Sequence, residues 1–262
     1  PNQSVKIRSH ACDWLVKNQQ EDGSWPAAPG FSQGGWVTPL ACLALHENAS
    51  GSDSVEHAIH WILNAWPGEG NWFWRLRQRI FSRQNVRQDS SLRGWSWTQG
   101  TSSWVEPTSL ALLALCRASS KRSSHAFTER RELGQKMLLD RMCPGGGWNC
   151  GNPMVYGVGG QPFVGQTVWA LLALRELRER TEVKQSLDWL QREYPNIKGP
   201  ASLSLAHLSL SAFDRSPRPL ESDLESLFTA NQFLSQVSVM AFATMALSSQ
   251  QDWYGSSSEA IR

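Results

Sequence analysis

The amino-acid sequence predicts an all-α protein in which apolar helices alternate with amphipathic ones, and three observations lead to this prediction. An aromatic residue, a short polar step, a threonine and an apolar segment follow one another three times, at 36–45, 104–115 and 163–174. In each copy Leu-Ala-Leu begins five residues after the threonine, which is Thr38, Thr108 or Thr167. These segments are apolar nearly all round, as in helices that are buried on most faces. Three copies in register indicate a repeat with an inner layer of helices.

Amphipathic outer helices share a common ending. The first, from 4 to 20, ends in the pattern Trp14-Leu15, Gln19, Gly23 and Trp25, and weaker forms of this ending begin at Trp61, Leu138 and Trp189. Because a turn and then an inner helix follow each ending, the sequence divides into helix pairs. Five pairs are predicted, at 4–48, 52–118, 123–179, 182–213 and 219–248. A sixth pair is expected to be irregular or to lie outside this sequence.

The 262 residues are predicted to form one domain, 1–262, because Leu- and Ala-rich helices run through the whole sequence without a shift in composition. A long insertion rich in Arg and Trp interrupts this domain at 66–103. It has basic residues at four-residue intervals, Arg75, Arg79, Arg83 and Arg87, and apolar residues on another helical face, Phe73, Leu76 and Ile80. Two interpretations stay open: a solvated helix over a cavity mouth, or a contact with an anion such as a diphosphate head group or a phospholipid.

Charge and cysteine content exclude several classes of protein. The net charge of +2, from 25 basic and 23 acidic residues, argues against a nucleic-acid-binding protein. The sequence has five cysteines, an odd number, and they are too widely spaced for the dense disulfide framework of a small secreted domain. Cys143 and Cys150 flank a Gly-rich loop and could pair or bind a metal, but no second pair of ligands accompanies them. No metal and no cofactor are therefore predicted.

The sequence also bears on location. No apolar run approaches the ~20 residues of a membrane-spanning helix, and no secretory signal is expected. A cytoplasmic protein is expected, with peripheral membrane contact through the 72–93 segment as an alternative.

The repeated ending carries a resemblance to a known family. The residues Trp14-Leu15, Gln19, Gly23 and Trp25 resemble the glutamine-tryptophan repeats of squalene and oxidosqualene cyclases. The segment 165–174, Gly-Gln-Thr-Val-Trp-Ala-Leu-Leu-Ala-Leu, resembles an inner helix of squalene-hopene cyclases. Protein prenyltransferase β subunits belong to the same superfamily. The resemblance implies an α/α toroid, with outer and inner helices around a central cavity, and an isoprenoid or other lipid-like ligand.

The fourteen tryptophans are predicted to divide into two groups. In the cyclases the repeat residues tie helix ends together, so the resemblance implies a structural role for Trp14, Trp25, Trp61 and Trp148. A second group stands at or near inner-helix starts and is predicted to line the cavity: Trp36, Trp95, Trp97, Trp104 and Trp169. Aromatic faces at such positions suit apolar chains or a carbocation.

Catalytic residues of the superfamily are mostly missing. Class II terpenoid cyclases carry Asp-x-Asp-Asp-Thr at the start of an inner helix, and aligning its threonine on Thr108 places Trp104, Glu106 and Pro107 at the acid positions. Glu106 is thus the catalytic candidate, although the positive end of a helix dipole favours an acid there with no catalytic purpose. The zinc ligands of the prenyltransferases are absent from 163–167, and no His precedes the helix at 236–247.

The predicted function is the binding of an isoprenoid or lipid-like molecule, as a divergent or partial terpenoid cyclase of the isomerase or lyase type. The alternative is a non-catalytic binding domain or a structural toroid domain of a larger assembly, with a partner chain or an additional domain. In a toroid the inner helices begin at one end, so their first residues are predicted to form the cavity mouth: Trp36, Trp104, Glu106, Thr108, Gln166 and Thr167. Arg75, Arg79 and Arg83 are expected beside it, where they favour an anionic head group.

Overall fold

The computed structural model describes residues 3–46, 52–68, 76, 88–118, 124–215 and 220–248. Ten α-helices lie within these residues: α1 (Gln3–Lys17), α2 (Val37–His46), α3 (Ser52–Asn64), α4 (Val105–Ala118), α5 (His125–Asp140), α6 (Val164–Ala173), α7 (Thr181–Glu193), α8 (Pro200–Ala212), α9 (Glu221–Asn231) and α10 (Val237–Leu247). The strands of the described residues are two short ones, β1 (Met154–Val155) and β2 (Val158–Gly159). The prediction of an all-α protein is confirmed.

The described helices fall into two compact units. The first contains α1 to α5, in residues 3–46, 52–68, 76, 89–118 and 124–140, and the second contains α6 to α10, in residues 88, 141–215 and 220–248. In the first unit α2 packs against α1, α3 and α4, and α4 also packs against α3 and α5. In the second unit α8 packs against α6, α7 and α10, and α6 also packs against α7. Within each unit, the apolar helices therefore contact one another.

Burial follows the apolar pattern of the sequence. Eleven of the fourteen residues of α4 are buried, as are seven of the ten residues of α6. In the amphipathic helix α7 only Val183, Ser186, Leu187 and Leu190 are buried, which places one face of that helix on the core. None of the described helices combines the length and the apolar character that a membrane crossing requires.

Each of the three registered threonines holds the backbone of an earlier tryptophan. The Thr hydroxyl accepts a hydrogen bond from the Trp N–H and donates one to the carbonyl oxygen of the same Trp. The N–H bonds are 3.0 Å long from Trp25 to Thr38, 2.9 Å from Trp95 to Thr108 and 2.9 Å from Trp148 to Thr167. All three threonines have no exposed surface. This Thr–Trp clamp fastens the turn before each inner helix to the first turn of that helix.

Loss of one clamp is expected to destabilise the protein. Thr108→Val keeps the shape of the side chain but leaves the buried N–H of Trp95 without its acceptor, so we expect the free energy of unfolding to fall by about 1–3 kcal/mol. Urea denaturation measures this change. Thr128→Val, at an exposed position of α5, is the control and should change the same quantity by less than about 0.5 kcal/mol. Equally small effects of the two substitutions would contradict the clamp.

The glutamine-tryptophan ending of α1 connects this helix to α3. The Gln19 side chain donates hydrogen bonds to the carbonyl oxygens of Gly23, at 2.9 Å, and Ser54, at 2.8 Å. The indole N–H of Trp25 donates to the carbonyl of Leu15 at 2.8 Å, and that of Trp61 donates to the carboxylate of Asp22 at 3.1 Å. These bonds tie the end of α1 to its following turn and to α3.

The four tryptophans predicted to be structural differ in burial. Trp25, Trp61 and Trp148 are buried, whereas Trp14 is 59% exposed. Trp14 therefore lies on the surface of α1, although it begins the repeated ending.

Two glycines of the repeated ending lie against the carbonyl groups of a neighbouring helix. Gly23 has a φ angle of +89°, and a Cβ atom there would come within 2.4 Å of the carbonyl oxygen of His57 in α3. Gly146 has a φ angle of +90°, and its Cβ would come within 2.8 Å of the carbonyl oxygen of Gln185 in α7. The same close approach occurs once in each unit.

A small β-hairpin precedes α6. Strands β1 and β2 pair antiparallel, with Met154 opposite Gly159, and the turn between them has positive φ angles at Tyr156 and Gly157. At the open end of the hairpin, the N–H of Gly160 donates a hydrogen bond to the carbonyl of Pro153 at 2.8 Å. The two ends of the hairpin are therefore adjacent.

Candidate functional site

A shallow pocket in the first unit lies where the starts of α2 and α4 meet the end of α3 and the 95–99 loop. Its lining consists of Gly35, Trp36, Pro39, Trp61, Ala65, Trp66, Trp95, Ser96, Gln99 and Pro107. None of these side chains carries a formal charge. The centre of a water molecule can move within a volume of about 10 Å³, which is room for about one water. The pocket thus admits a small apolar group rather than a whole ligand.

Several tryptophans of the predicted cavity group come together at this pocket. Trp36 and Trp95 line it. Trp97 packs edge-to-face against Trp36, with ring centroids 5.1 Å apart and an interplanar angle of 76°. Trp104 is half-buried, and its backbone N–H donates a hydrogen bond to the carbonyl of Trp95 at 3.0 Å. The starts of two inner helices therefore share one aromatic cluster.

Glu106 and Thr108 lie in the first turn of α4, beside the pocket lining. The intervening residue Pro107 contacts the pocket, whereas Glu106 is half-buried and is not part of the lining. Thr108 is buried and holds the backbone of Trp95. The hydroxyl of Thr108, predicted to contact a ligand, thus makes a bond within the core.

The remaining predicted site residues belong to the second unit or lie outside the described residues. Gln166 is half-buried on α6, and Thr167 holds the backbone of Trp148. Trp169 packs edge-to-face against Phe242 of α10, with ring centroids 6.1 Å apart. Arg75, Arg79, Arg83 and Arg87 lie outside the described residues, so the predicted basic face of the insertion stays a prediction.

Comparison with known proteins does not assign this chain to a family. No protein-family model matches the chain, and no curated protein matches it.

Sequence reasoning missed Arg130, a buried arginine of α5 next to the pocket. Its guanidinium donates hydrogen bonds to the carbonyl oxygens of Arg93 (2.9 Å), Ala65 (3.1 Å) and Gly94 (2.7 Å). The Cζ atom lies 3.5 Å from the ring centroid of Trp95, a cation–π distance. No sequence signal marked this residue, because it lies in a run of four charged residues, Glu129-Arg130-Arg131-Glu132, which predicts a solvated part of a helix.

Arg130 keeps its charge without a carboxylate among the described residues. Burial, and then the positive charge of Arg93, lower the pKa of Arg130 from 12.5 to about 9. Even so, the guanidinium is protonated near neutral pH. Its Nε atom is buried and has no hydrogen-bond partner within the described part of the chain. Carbonyl dipoles and indole rings therefore take the place of a counter-ion.

Residues of the degenerate second repeat also contribute to the pocket. Trp61, predicted to be structural, and Trp66, which occupies the position of the repeat glutamine, both line it. Their spacing in the sequence showed that they belong to an outer-helix ending. It did not show that this ending faces the starts of α2 and α4.

The cysteines of the Gly-rich loop are separate thiols. All five cysteines lie in the described residues and none of them forms a disulfide, and the described residues contain no group of three or more His, Cys, Asp and Glu side chains that could hold a metal. Cys143 is buried, whereas Cys150 is half-buried. Burial raises the pKa of the Cys143 thiol, although a hydrogen bond with the backbone of Asn149 offsets part of this effect.

Thiol labelling is expected to distinguish these two cysteines. The thiolate is the reactive form, so the buried Cys143, with its raised pKa, should react with iodoacetamide at least tenfold more slowly than Cys150 at mildly alkaline pH. Raising the pH should increase the rate at Cys143, because it increases the thiolate fraction. Peptide mass spectrometry over a time course measures both rates, and denatured protein is the control in which they should converge. Equal rates in the folded protein would contradict the burial of Cys143.

Proposed function

We propose that this chain is a terpenoid-cyclase-like α/α toroid protein that binds an isoprenoid or other lipid-like molecule at the tryptophan pocket of its first unit. The observation that carries the proposal is the pocket lining, which brings Trp36, Trp61, Trp66 and Trp95 together without a formal charge. Contact between such aromatic surfaces and an apolar group removes both from water and so favours binding. A single methyl group at the end of an isoprenoid matches the small volume, while the rest of the ligand would lie across the neighbouring surface.

The contacts of the helices support the toroid in this proposal. The apolar helices α2 and α4 pack together in the first unit, as do α6 and α8, and α8 and α10, in the second. In the first unit α1, α3 and α5 pack against this series, and in the second unit α7 does so. We propose that this series of helices closes into a ring.

Binding is favoured over catalysis because a strong acid at the pocket would need supporting groups. Glu106 is the carboxyl residue that aligns with the cyclase acid, and it lies outside the lining. The lining itself contains no titratable side chain. We therefore propose a binding protein rather than a competent cyclase.

Isothermal titration calorimetry with geraniol tests the proposal. Trp36→Ala should weaken binding about tenfold or more, because it removes one of the large apolar faces of the pocket. Trp14→Ala is the matched control, since Trp14 is exposed on α1 and distant in sequence from the lining. Unchanged unfolding midpoints show that both variants remain folded. The proposal fails if geraniol does not bind, or if the two folded variants bind it equally well.

A second candidate function, as a structural domain of a larger assembly, is favoured by the surface of α10. This helix contains no charged residue, yet Val237, Met240 and Leu247 are exposed, and so is the preceding Leu234. An apolar helix face of this kind is usually covered. We propose a second copy of the chain as its partner, because two uncharged α10 helices can pack together without like-charge repulsion.

Light scattering after size-exclusion chromatography tests this second candidate. The protein should form a dimer, and Val237→Glu should convert it to a monomer because the interface would bury an unpaired charge. Thr229→Glu, at an exposed position of α9, is the control and should leave the dimer intact. A monomeric protein at high concentration would rule out the α10 interface.

A further inference from the structure

A left-handed turn joins α9 to α10. Its four residues, Gln232–Ser235, have φ angles of +49°, +53°, +53° and +56°. This conformation is unfavourable for any residue with a Cβ atom, and it normally occurs at single positions rather than in runs. Elsewhere in the described residues, non-glycine residues adopt it singly, as at Tyr156 and Asp214. The turn between α9 and α10 is therefore strained.

The local sequence favours a right-handed helix instead. Residues 221–247 include neither glycine nor proline, so none of them is a strong helix breaker. Leu224 of α9 and Phe242 of α10 are eighteen residues apart, which is five turns of an α-helix. The same spacing relates Leu227 to Met245. The apolar faces of α9 and α10 would therefore be continuous in a single helix that ran through the turn.

Two contacts hold the turn in its left-handed form. Phe233 is buried, and its ring packs edge-to-face against that of Phe228 in α9, with centroids 5.2 Å apart. Beyond the turn, α10 packs on α8, and this is the most extensive contact between two elements of the described residues. Helix α9 is held less firmly, since Leu224 alone is buried among residues 221–230. The strain persists because α10 folds back onto α8 of its own chain.

We propose that the turn Gln232–Ser235 is a hinge through which two copies of the chain exchange α10. In the exchanged dimer, residues 221–247 form one helix about 40 Å long, and α10 of each copy packs on α8 of the other. The contact between α8 and α10 is the one already made within a single chain, so exchange preserves it and relieves the hinge. Short hinges under strain favour such exchange. The inference does not depend on the ligand of the tryptophan pocket.

Glycine substitution in the hinge tests the exchange. Leu234 is 72% exposed, so Leu234→Gly alters few contacts, but it relieves the left-handed turn and disfavours the continuous helix. We expect it to raise the dissociation constant of the dimer about tenfold or more, because both hinges of the dimer change. Leu234→Ile should lower this constant, since a β-branched residue tolerates the left-handed region least. Sedimentation equilibrium measures the constant after the protein has been unfolded in urea and refolded at high concentration.

A matched control lies in α9. Thr229 is exposed and is helical both in the single chain and in the exchanged dimer. Thr229→Gly therefore weakens the helix equally in the two forms, and it should leave the dissociation constant unchanged. Equal effects of Leu234→Gly and Thr229→Gly would refute the hinge.

The rate of subunit exchange separates this dimer from the α10 surface contact proposed above. Native mass spectrometry of unlabelled and isotope-labelled protein, mixed after dimer formation, follows the mixed dimers. We expect them to form slowly and to form faster in moderate urea, because α10 must first leave α8. Val237→Glu should leave the exchanged dimer intact, since Val237 is 76% exposed when α10 packs on α8.

Two further outcomes would overturn the exchange. A dimer that Val237→Glu disrupts and Leu234→Gly leaves unchanged would be the α10 surface contact, in which the hinge takes no part. A protein that stays monomeric after the refolding cycle would refute both kinds of dimer. Neither outcome bears on geraniol binding, which has its own calorimetric test.

Discussion

Replacement of Arg130 by methionine is expected to lower the free energy of unfolding by about 3–5 kcal/mol. Methionine fills much of the same space, but it leaves the carbonyl oxygens of Ala65, Arg93 and Gly94 without their donor. The loss is partly offset because a buried charge is removed as well. Guanidinium chloride denaturation, followed by circular dichroism, measures the change.

A matched control lies on the same helix. Lys136 of α5 is 61% exposed and pairs with Glu132 at 3.4 Å, so Lys136→Met should change the free energy of unfolding by less than about 1 kcal/mol. Arg130→Lys retains a charge but cannot reach three carbonyl oxygens with a planar group, and we expect it to lose most of the stability. If Arg130→Met were no more harmful than Lys136→Met, the arginine would not hold α3 to the turn before Trp95.

Replacement of Gly23 by alanine is expected to lower the free energy of unfolding by about 3 kcal/mol or more. The added Cβ would come within 2.4 Å of the carbonyl oxygen of His57 and 2.7 Å of its carbonyl carbon, so the turn after α1 would have to move away from α3. The positive φ angle adds a conformational cost of about 1–2 kcal/mol. Thermal unfolding of the variant measures the sum of the two effects.

Gly30 separates the two effects, because its φ angle of +88° is nearly that of Gly23 while no atom lies within 4 Å of its added Cβ. Gly30→Ala should therefore show the conformational cost alone. The difference between the two variants is the cost of the clash with α3. Gly146→Ala should repeat the larger effect in the second unit, since its Cβ would meet the carbonyl of Gln185. Equal losses at Gly23 and Gly30 would show that the turn after α1 does not pack tightly on α3.

The helices were predictable because each carries its own apolar period. The registered threonines marked the first turns of α2, α4 and α6, and the structure has helices there. What the threonines do was not predictable, because the backbone groups they bind lie 13 or 19 residues earlier. Thr108 and Thr167 were predicted to contact a ligand, and in the structure both hydroxyl groups bind backbone groups within the core.

The pocket was predictable only in part. Trp36 and Trp95 stand at inner-helix starts, and their positions suggested an aromatic cluster. Trp66 and Arg130 required the packing of α3 and α5 around the turn before α4, and no local pattern encodes those contacts. A charged residue among other charged residues reads as solvated, so burial of Arg130 becomes visible only in three dimensions. The predicted roles of Arg75, Arg79 and Arg83 remain predictions.

The Thr–Trp clamp also determines how freely the chain between its two ends can change length. The clamp spans 13 residues in two copies but 19 in the third, and the six additional residues equal the length of the hairpin Met154–Gly159. Since the ends of this segment are held by the Trp148–Thr167 bonds and by the bond from Gly160 to Pro153, the extra length costs only about 0.3 kcal/mol of loop-closure entropy. The third clamp thus accommodates the hairpin without losing its hold on the first turn of α6, and we expect the other two clamps to tolerate insertions in the same way.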